Sequence, residues 1–269
     1  MGKLLNISIV LYRTPESEWL GLVHELQRAE SVNSIYLVDN SPEPLLERNW
    51  ERGVHYMHND RNVGYGAAHN KAIYESIYDD IPFHLVINSD IEVQAEAIDR
   101  LVGVMIENPA IGQLMPRVVN PDGEMQYLCK LLPTPCDLLR RIVLGKLGKN
   151  SRANARFELR ALNHDRPINA PYLSGCFMLL RTEALTKVGV FDERYFMYPE
   201  DIDLTRRIHR EYLTLYYPSE TIVHAHKQAS YHSLKMLWIH AANMTRYFNK
   251  WGWVFDSERR LYNSQVLNR

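Results

Sequence analysis

Cysteine is scarce, with three in 269 residues (Cys129, Cys136 and Cys176) and no CxxC pair among them. That excludes a disulfide framework and a zinc knuckle, and it suits a reducing cytoplasm. A surplus of charge is also missing. The formal net charge is -1, so there is no bulk cationic surface to neutralise phosphates, and nucleic acid is not expected as a partner. No apolar run is long enough to span a bilayer comfortably. The most apolar helical stretch, Leu234 to Trp253, is interrupted by Lys235, His240, Asn243, Arg246 and Lys250, which are costly in hydrocarbon. Met1 to Leu5 runs straight into an apolar strand without a cleavable signal pattern, so the expectation is a soluble or peripheral protein. Internal repeats and low-complexity tracts are absent too.

What remains is ordinary globular material. A hydrophobic fraction of 46% leaves ample core for one α/β domain. Leu4 to Tyr12 reads as a buried strand. Thr14-Pro15 then opens a helix carrying Trp19, Leu22, Val23 and Leu26 at helical spacing. Ser34–Val38, Val54–Met57 and Phe83–Ile87 are further strands, and Ala67–Tyr78 is a helix. Strands alternating with helices predict a mostly parallel sheet covered on both faces. Ligands collect at the carboxyl ends of such strands. Three of those ends are polar here: Tyr12-Arg13, Asp39-Asn40 and Asn88-Ser89-Asp90.

Residues 127–166 change character. They are rich in Lys and Arg, contain Pro133 and Pro135, and read as an insertion. Within it Asp137 to Lys149 mixes apolar and basic residues. If that stretch is helical, Leu138, Leu139, Ile142 and Val143 form an apolar side suited to an anionic membrane. A helix packed on the core, or a loop over the cleft, suits the same residues. Beyond it come an apolar segment, Leu173–Leu180, a helix over Thr182–Val188, and a second helix from Glu200 to Glu211. Short strands at Tyr212–Tyr217 and Thr221–Val223 precede a long helix over Leu234–Trp251.

Several residues could carry chemistry. Asp90 ends a strand, where a carboxylate can hold Mg²⁺ or Mn²⁺ against a diphosphate, or simply cap a turn. Glu200-Asp201-Ile202-Asp203 puts three carboxylates at a helix start. Such residues suit the positive end of the helix dipole, and one of them could equally take a proton from an incoming hydroxyl. Asn62-Val63-Gly64-Tyr65-Gly66 leads into a helix, where backbone amides can meet phosphate. It lacks the third glycine of a dinucleotide fingerprint. His224-Ala225-His226 follows a strand, and either imidazole could ligate a metal.

Taken in order, these segments resemble the family 2 glycosyltransferases of bacteria, which have the GT-A fold. The resemblance rests on Ile7-Ser8-Ile9-Val10-Leu11-Tyr12, Tyr36-Leu37-Val38-Asp39-Asn40-Ser41, Asn62-Val63-Gly64-Tyr65-Gly66 and Val86-Ile87-Asn88-Ser89-Asp90. The longest matching pieces are Leu173-Ser174-Gly175-Cys176-Phe177-Met178-Leu179-Leu180-Arg181 and Gly189 through Leu204. The resemblance implies a nucleotide-diphosphate-sugar transferase of one domain: a nucleotide-binding half over 1–126, the insertion over 127–166, an acceptor half over 167–232, and a C-terminal helical extension over 233–269.

The resemblance also implies roles. Asp39 would contact a pyrimidine base, helped by backbone near Leu11 and Tyr12, while Asn62, Gly64 and Asn88 line the nucleotide pocket. Asp90 would bind Mg²⁺ or Mn²⁺ together with His224 or His226. Asp201 would be the catalytic base with Glu200 beside it, and Arg207 would support the carboxylates or the diphosphate. Two departures stand out. Asn88 occupies the place of the first carboxylate of a stricter DxD, and Glu211 replaces a glycine usual after the catalytic helix. His232 to Trp238 and Arg246 to Trp253 are similar to a rhamnosyltransferase-like branch. That implies a dTDP- or UDP-linked sugar donor and a glycan or lipid-linked glycan acceptor, in cell-surface polysaccharide synthesis. A sugar-1-phosphate nucleotidyltransferase would need a glycine-rich basic loop after the first strand, which Arg13-Thr14-Pro15-Glu16 is not. A non-catalytic glycan- or nucleotide-binding protein would have no need of Asp90 and Glu200-Asp201.

Overall fold

The computed structural model describes residues 2–45, 53–137, 151–225 and 234–268. The first strand, β1 (Leu5–Leu11), shows why the sheet is central. Leu5, Ile7, Ile9 and Leu11 are fully buried on one side, while Asn6 and Ser8 are fully buried on the other. A strand buried on both faces needs a helical layer on each. Helices α1 (Glu16–Arg28) and α3 (Ala95–Glu107) cover the aliphatic side, packing Trp19, Leu22, Leu26, Ile98, Leu101 and Met105 into the largest core. Helix α2 (Tyr65–Tyr78) covers the other side. The α1 start differs slightly from expectation. Pro15 takes the cap position, and the Thr14 hydroxyl accepts from the Tyr12 amide at 3.1 Å instead of capping the helix.

Strands β2 (Val32–Asp39), β3 (Val54–His58) and β4 (Phe83–Ile87) lie parallel to β1 in the order β3-β2-β1-β4. Beyond β4 the sheet is mixed. Strand β10 (Phe177–Arg181) is antiparallel to both β4 and β6 (Ile111–Val119), and β11 (Leu213–His224) runs parallel to β6. The mostly parallel sheet expected from the sequence is thus a mixed one, parallel through its first half and crossed by antiparallel β10 in its second. The apolar segment 173–180 divides into β9 (Tyr172–Leu173) and β10, and the two strands expected over 212–223 form one strand with a register shift between Tyr217 and Thr221.

This topology places the site. Parallel strands β1, β2 and β4 end on one edge. Antiparallel β10 begins there, with Phe177 opposite Ile87. Strand β11 finishes there too, where Val223 and His224 pair with Glu92 and Ile91 of β5 (Ile91–Glu92).

The flanks of the basic insertion are not appended loosely. Strand β7 (Cys129–Lys130) pairs with β9, and Cys129, Leu131, Phe157 and Leu159 join a second core with Leu173, Tyr216 and Val266. Helix α4 (Arg152–Phe157) and strand β8 (Ile168–Asn169) complete that part. The amphipathic helix expected over Leu138–Val143 lies outside the described residues. Helix α5 (Thr182–Val188) matches expectation, and α6 (Glu200–His209) ends two residues early. Arg210 stays right-handed at φ -67°, and the Glu211 amide donates to Ile208 at 3.0 Å, so this helix end needs no glycine. The C-terminal extension is two helices, α7 (Leu234–Trp251) and α8 (Ser257–Leu267). Among the described residues no helix is long and apolar enough to cross a membrane.

Candidate active site

Two acidic centres meet at the carboxyl edge. At the first, Asp90 Oδ1 lies 3.2 Å from His224 Nε2. The β5–β11 ladder makes this meeting possible, because His224 pairs with Ile91, the residue after Asp90. The other imidazole nitrogen lies 3.1 Å from Gln126 Oε1, and the Gln126 amide donates to the His224 carbonyl at 2.8 Å. That second contact fixes the ring, as metal-ligating histidines require. Burial opposes charge on His224, but hydrogen bonding from Asp90 and Cys176 outweighs it and raises its pKa to about 10. Positive charge is thus favoured between the two side chains, and a divalent cation would answer the same demand. A carboxylate with an imidazole suits a first-row divalent ion, and diphosphate oxygens would complete its shell. The residues fit the ion. Among the described residues no third His, Cys, Asp or Glu joins them.

The second centre is Glu200-Asp201 at the start of α6. Asp201 Oδ2 accepts the Gly175 amide at 2.9 Å and Oδ1 accepts the Ile202 amide at 2.8 Å. Gly175 allows this approach, since a Cβ there would sit 3.1 Å from the Asp201 Cβ. Glu200 is buried, and its Oε2 has no hydrogen-bond partner among the described residues. Burial raises both pKa values, and repulsion from Asp201 adds to it at Glu200. The two amides and the field of Lys130 work in the other direction on Asp201. The two amides and Lys130 thus favour the charged form at Asp201 more than at Glu200. Asp201 is half-buried, and a carboxylate with a raised pKa can accept a proton.

One loop joins the two centres. The Asn88 amide donates to the Cys176 carbonyl at 3.0 Å, beside the Gly175 amide that holds Asp201. The Tyr65 hydroxyl sits 2.8 Å from the Gly175 carbonyl and 3.0 Å from Asn88 Oδ1. Ser174-Gly175-Cys176 is thus shared by the Asp90 side and the Asp201 side.

The sequence relatives point to one family. A family model described as glycosyl transferase family 2 matches residues 34–189, more than half of the chain. An N-acetylglucosaminyl-diphospho-decaprenol L-rhamnosyltransferase of Mycobacterium tuberculosis is 32% identical over 214 residues, spanning 73% of this chain and 67% of that protein. The chain belongs to glycosyl transferase family 2. Solved structures agree on the GT-A fold. A Pyrobaculum calidifontis mannosyltransferase in complex with GDP-Man and Mn²⁺ superposes with TM-score 0.56 at 12% identity, covering 91% of this chain and 65% of that one. S. aureus TarS superposes with TM-score 0.60 at 14% identity over all of this chain and 43% of its own.

Several residues expected to contact the nucleotide are also engaged by the protein itself. Asp39 is fully buried. Its oxygens accept from the Ser41 amide at 2.8 Å, the Leu45 amide at 3.0 Å and the Tyr56 hydroxyl. Burial opposes its charge, but these bonds and the Ser41 hydroxyl prevail and lower its pKa. These bonds tie Asp39 to the 40–45 loop. Gly64, at φ +95°, is pressed against Phe196, where a Cβ would lie 2.3 Å from the carbonyl oxygen. The Tyr65 amide donates to that same oxygen at 3.0 Å, and the Gly64 amide donates to Asn62 Oδ1 at 2.9 Å, so neither amide faces a phosphate. Arg207 is likewise committed. Its guanidinium donates to the carbonyls of Val188, Gly189 and Val190 at 2.7 Å each and to Asp203 at 2.9 Å. It supports the acidic helix and the loop over it, with no donor directed at a diphosphate.

Leu11 is buried, and its carbonyl accepts from Asn40 at 2.8 Å. Tyr12 is 47% exposed, with the Arg13 guanidinium 5.6 Å from its ring centre. Asn88 stays at the junction through Tyr65. His226 lies outside the described residues, and it is His224 that meets Asp90. Tyr65, Gln126, Lys130, Cys176 and the Gly175 amide carried no assigned role in the sequence. Tyr65 and Gly175 sit inside family motifs, whereas Lys130 and Gln126 reach the site only through β7 and the turn before it, which no spacing reveals.

Proposed function

We propose that this chain is an inverting, metal-dependent glycosyltransferase that moves a deoxyhexose, rhamnose from dTDP-rhamnose, onto a lipid-diphosphate-linked glycan at the cytoplasmic face of the membrane. The observation that carries the reading is the shared Ser174-Gly175-Cys176 loop, which ties a metal-suited Asp90–His224 pair to a proton-accepting Asp201. A leaving-group side and a base side held by one short loop is what a single displacement needs. The mycobacterial relative, named for rhamnose transfer to a decaprenol-linked acceptor, supports the choice of donor and acceptor.

Asp90 and His224 would hold Mg²⁺ or Mn²⁺, which neutralises charge growing on the departing diphosphate. Tyr12 stacks on the base while the Asp39-ordered loop walls the pocket. Asp201 takes the proton of the acceptor hydroxyl as that oxygen attacks the anomeric carbon and the bond to the diphosphate breaks. Attack from the opposite face inverts the centre. Burial and the neighbouring Asp201 raise the Glu200 pKa, while two backbone amides and the field of Lys130 favour the charged form of Asp201.

Asp201→Asn tests this. Transfer should fall about a hundredfold or more, the usual scale for losing a general base, while donor binding by thermal shift stays near that of the wild type. Transfer close to wild type removes Asp201 from the role. Stronger product inhibition by GDP than by dTDP or UDP refutes the donor assignment.

A further inference from the structure

Helix α7 has two unlike sides. Its inner side carries Met244, Tyr247 and Phe248, all buried in a core with Tyr195 and Ile202. Its outer stripe, Trp238, Ala242, Thr245 and Asn249, is exposed along the helix. These positions recur at helical spacing, so they form one line. The line runs on into the turn before α8, where the Trp253 indole donates to Asn249 at 2.8 Å.

In that turn three consecutive apolar residues face solvent: Trp253 at 44%, Val254 at 71% and Phe255 at 88% exposure. The turn is built to hold them out. Gly252, at φ +102°, lets the backbone fold so tightly that a Cβ would lie 2.7 Å from the Phe255 carbonyl oxygen. Arg259 donates to the Trp253 carbonyl at 3.0 Å, and Asp256 caps α8 through the Arg259 amide. Scattered exposed apolar residues are normal, but three in a rigid row beside an exposed tryptophan are not.

The charge around the row has one sign. Arg246 and Arg260 are exposed, whereas the Lys250 amine is paired with Asp192 and Asp203. The two carboxylates of residues 236–268 are turned inward: Asp256 is buried against Arg206 at 2.6 Å, and Glu258 pairs with Arg206 and Arg210. A chain of net charge -1 thus presents a cationic, aromatic-tipped edge here.

We infer that the Trp253–Phe255 turn and the outer stripe of α7 form the surface by which the enzyme rests on an anionic lipid bilayer, the turn entering the headgroup region. Aromatic side chains favour that depth, and flanking cations favour anionic lipid. The inference rests on the lipid-linked acceptor proposed above and says where that acceptor would be met. Trp251 and Lys250, at the end of α7, contact Asp203 of the catalytic helix at 2.8 and 2.7 Å. The bilayer contact is thereby attached to the base side of the site.

The test is co-sedimentation of the full chain with phosphatidylglycerol/phosphatidylcholine vesicles and with phosphatidylcholine vesicles alone. Binding should require the anionic lipid and fade with added salt. Trp253→Ser with Phe255→Ser should reduce it about tenfold or more. Arg246→Gln with Arg260→Gln should weaken binding and flatten its salt dependence. Both variants should keep the wild-type circular dichroism melt, and both should transfer to a short-chain acceptor in detergent at the wild-type rate. Unchanged vesicle binding by the apolar double variant overturns the inference, as does absence of binding by the wild type. Preference for neutral vesicles overturns the charge argument, and a salt-resistant dimer dissolved by the double variant assigns the turn to a second copy instead. Vesicle binding is read without turnover, so a failure of the transferase reading leaves this result intact.

Discussion

Acid should weaken this fold through two buried histidines on the α2 side of the sheet. Ser8 Oγ lies 2.6 Å from His69 Nδ1 and 2.8 Å from His84 Nε2, and Ser76 Oγ lies 2.7 Å from His84 Nδ1. Both rings are fully buried, and among the described residues no carboxylate contacts them. Burial lowers the His84 pKa to about 3; burial and then the neighbouring His84 push His69 well below its ordinary value. The unfolded chain binds a proton at each near pH ~6.5, whereas the folded chain does not bind one at His84 until about pH 3. Stability from this source is therefore complete above the unfolded value and is lost progressively as pH falls toward the folded one. Between about pH 7 and about pH 5 each such histidine costs about 2 kcal/mol, and the pair about 4 kcal/mol, a large share of a typical total. Because the lower pH is still far above the folded pKa, this figure hardly depends on that pKa's exact value. Urea unfolding followed by tryptophan fluorescence measures it. His84→Gln, whatever its own stability, should lose about 2 kcal/mol less than the wild type over the same interval. Equal pH dependence in the two proteins would show that His84 titrates freely and that the burial argument is wrong.

Other outcomes follow from single contacts. Asp90→Ala and His224→Ala should each weaken donor binding with Mn²⁺ present and barely change it in EDTA, by calorimetry; activity indifferent to EDTA would sink the metal role. Asp256→Ala strips contacts of 2.6 and 2.8 Å from buried Arg206, leaving it Glu258, the Tyr247 hydroxyl and the face of Trp251 at 4.1 Å. Breaking a buried pair costs about 3–5 kcal/mol, and a loss under about 1 kcal/mol in chemical denaturation would mean water reaches the guanidinium. Gly64→Ala must move the Phe196 backbone, so it should lower the melting temperature and impair donor binding together; a neutral alanine would show that the loop relaxes freely.

Much of the architecture was legible along the chain. Phe83–Ile87, Thr182–Val188 and Leu234–Trp251 fall where their apolar periodicity puts them, because each buries a side whose spacing is local. Asp90 and Glu200-Asp201 were legible for a related reason: one ends a strand and the other begins a helix. Trp238 of α7, apolar as it is, lies on the outer stripe. Apolar spacing marks a face without saying what covers it.

The sequence by itself determined the elements, the polar strand ends and the family, since these depend on residues near one another in the chain. Only the tertiary structure decided which carboxylates are saturated by their own loop and which meet a histidine or the Gly175 amide. Asp39 and Asp90 both end parallel strands, yet one is saturated by its own loop and the other meets a histidine 134 residues away through an antiparallel return. Asp201 and Asp203 share one helix, yet one faces Gly175 and the other is held by Arg207, Lys250 and Trp251. The difference lies in which long-range donors satisfy each oxygen, and those donors are fixed by packing between segments that local spacing does not relate.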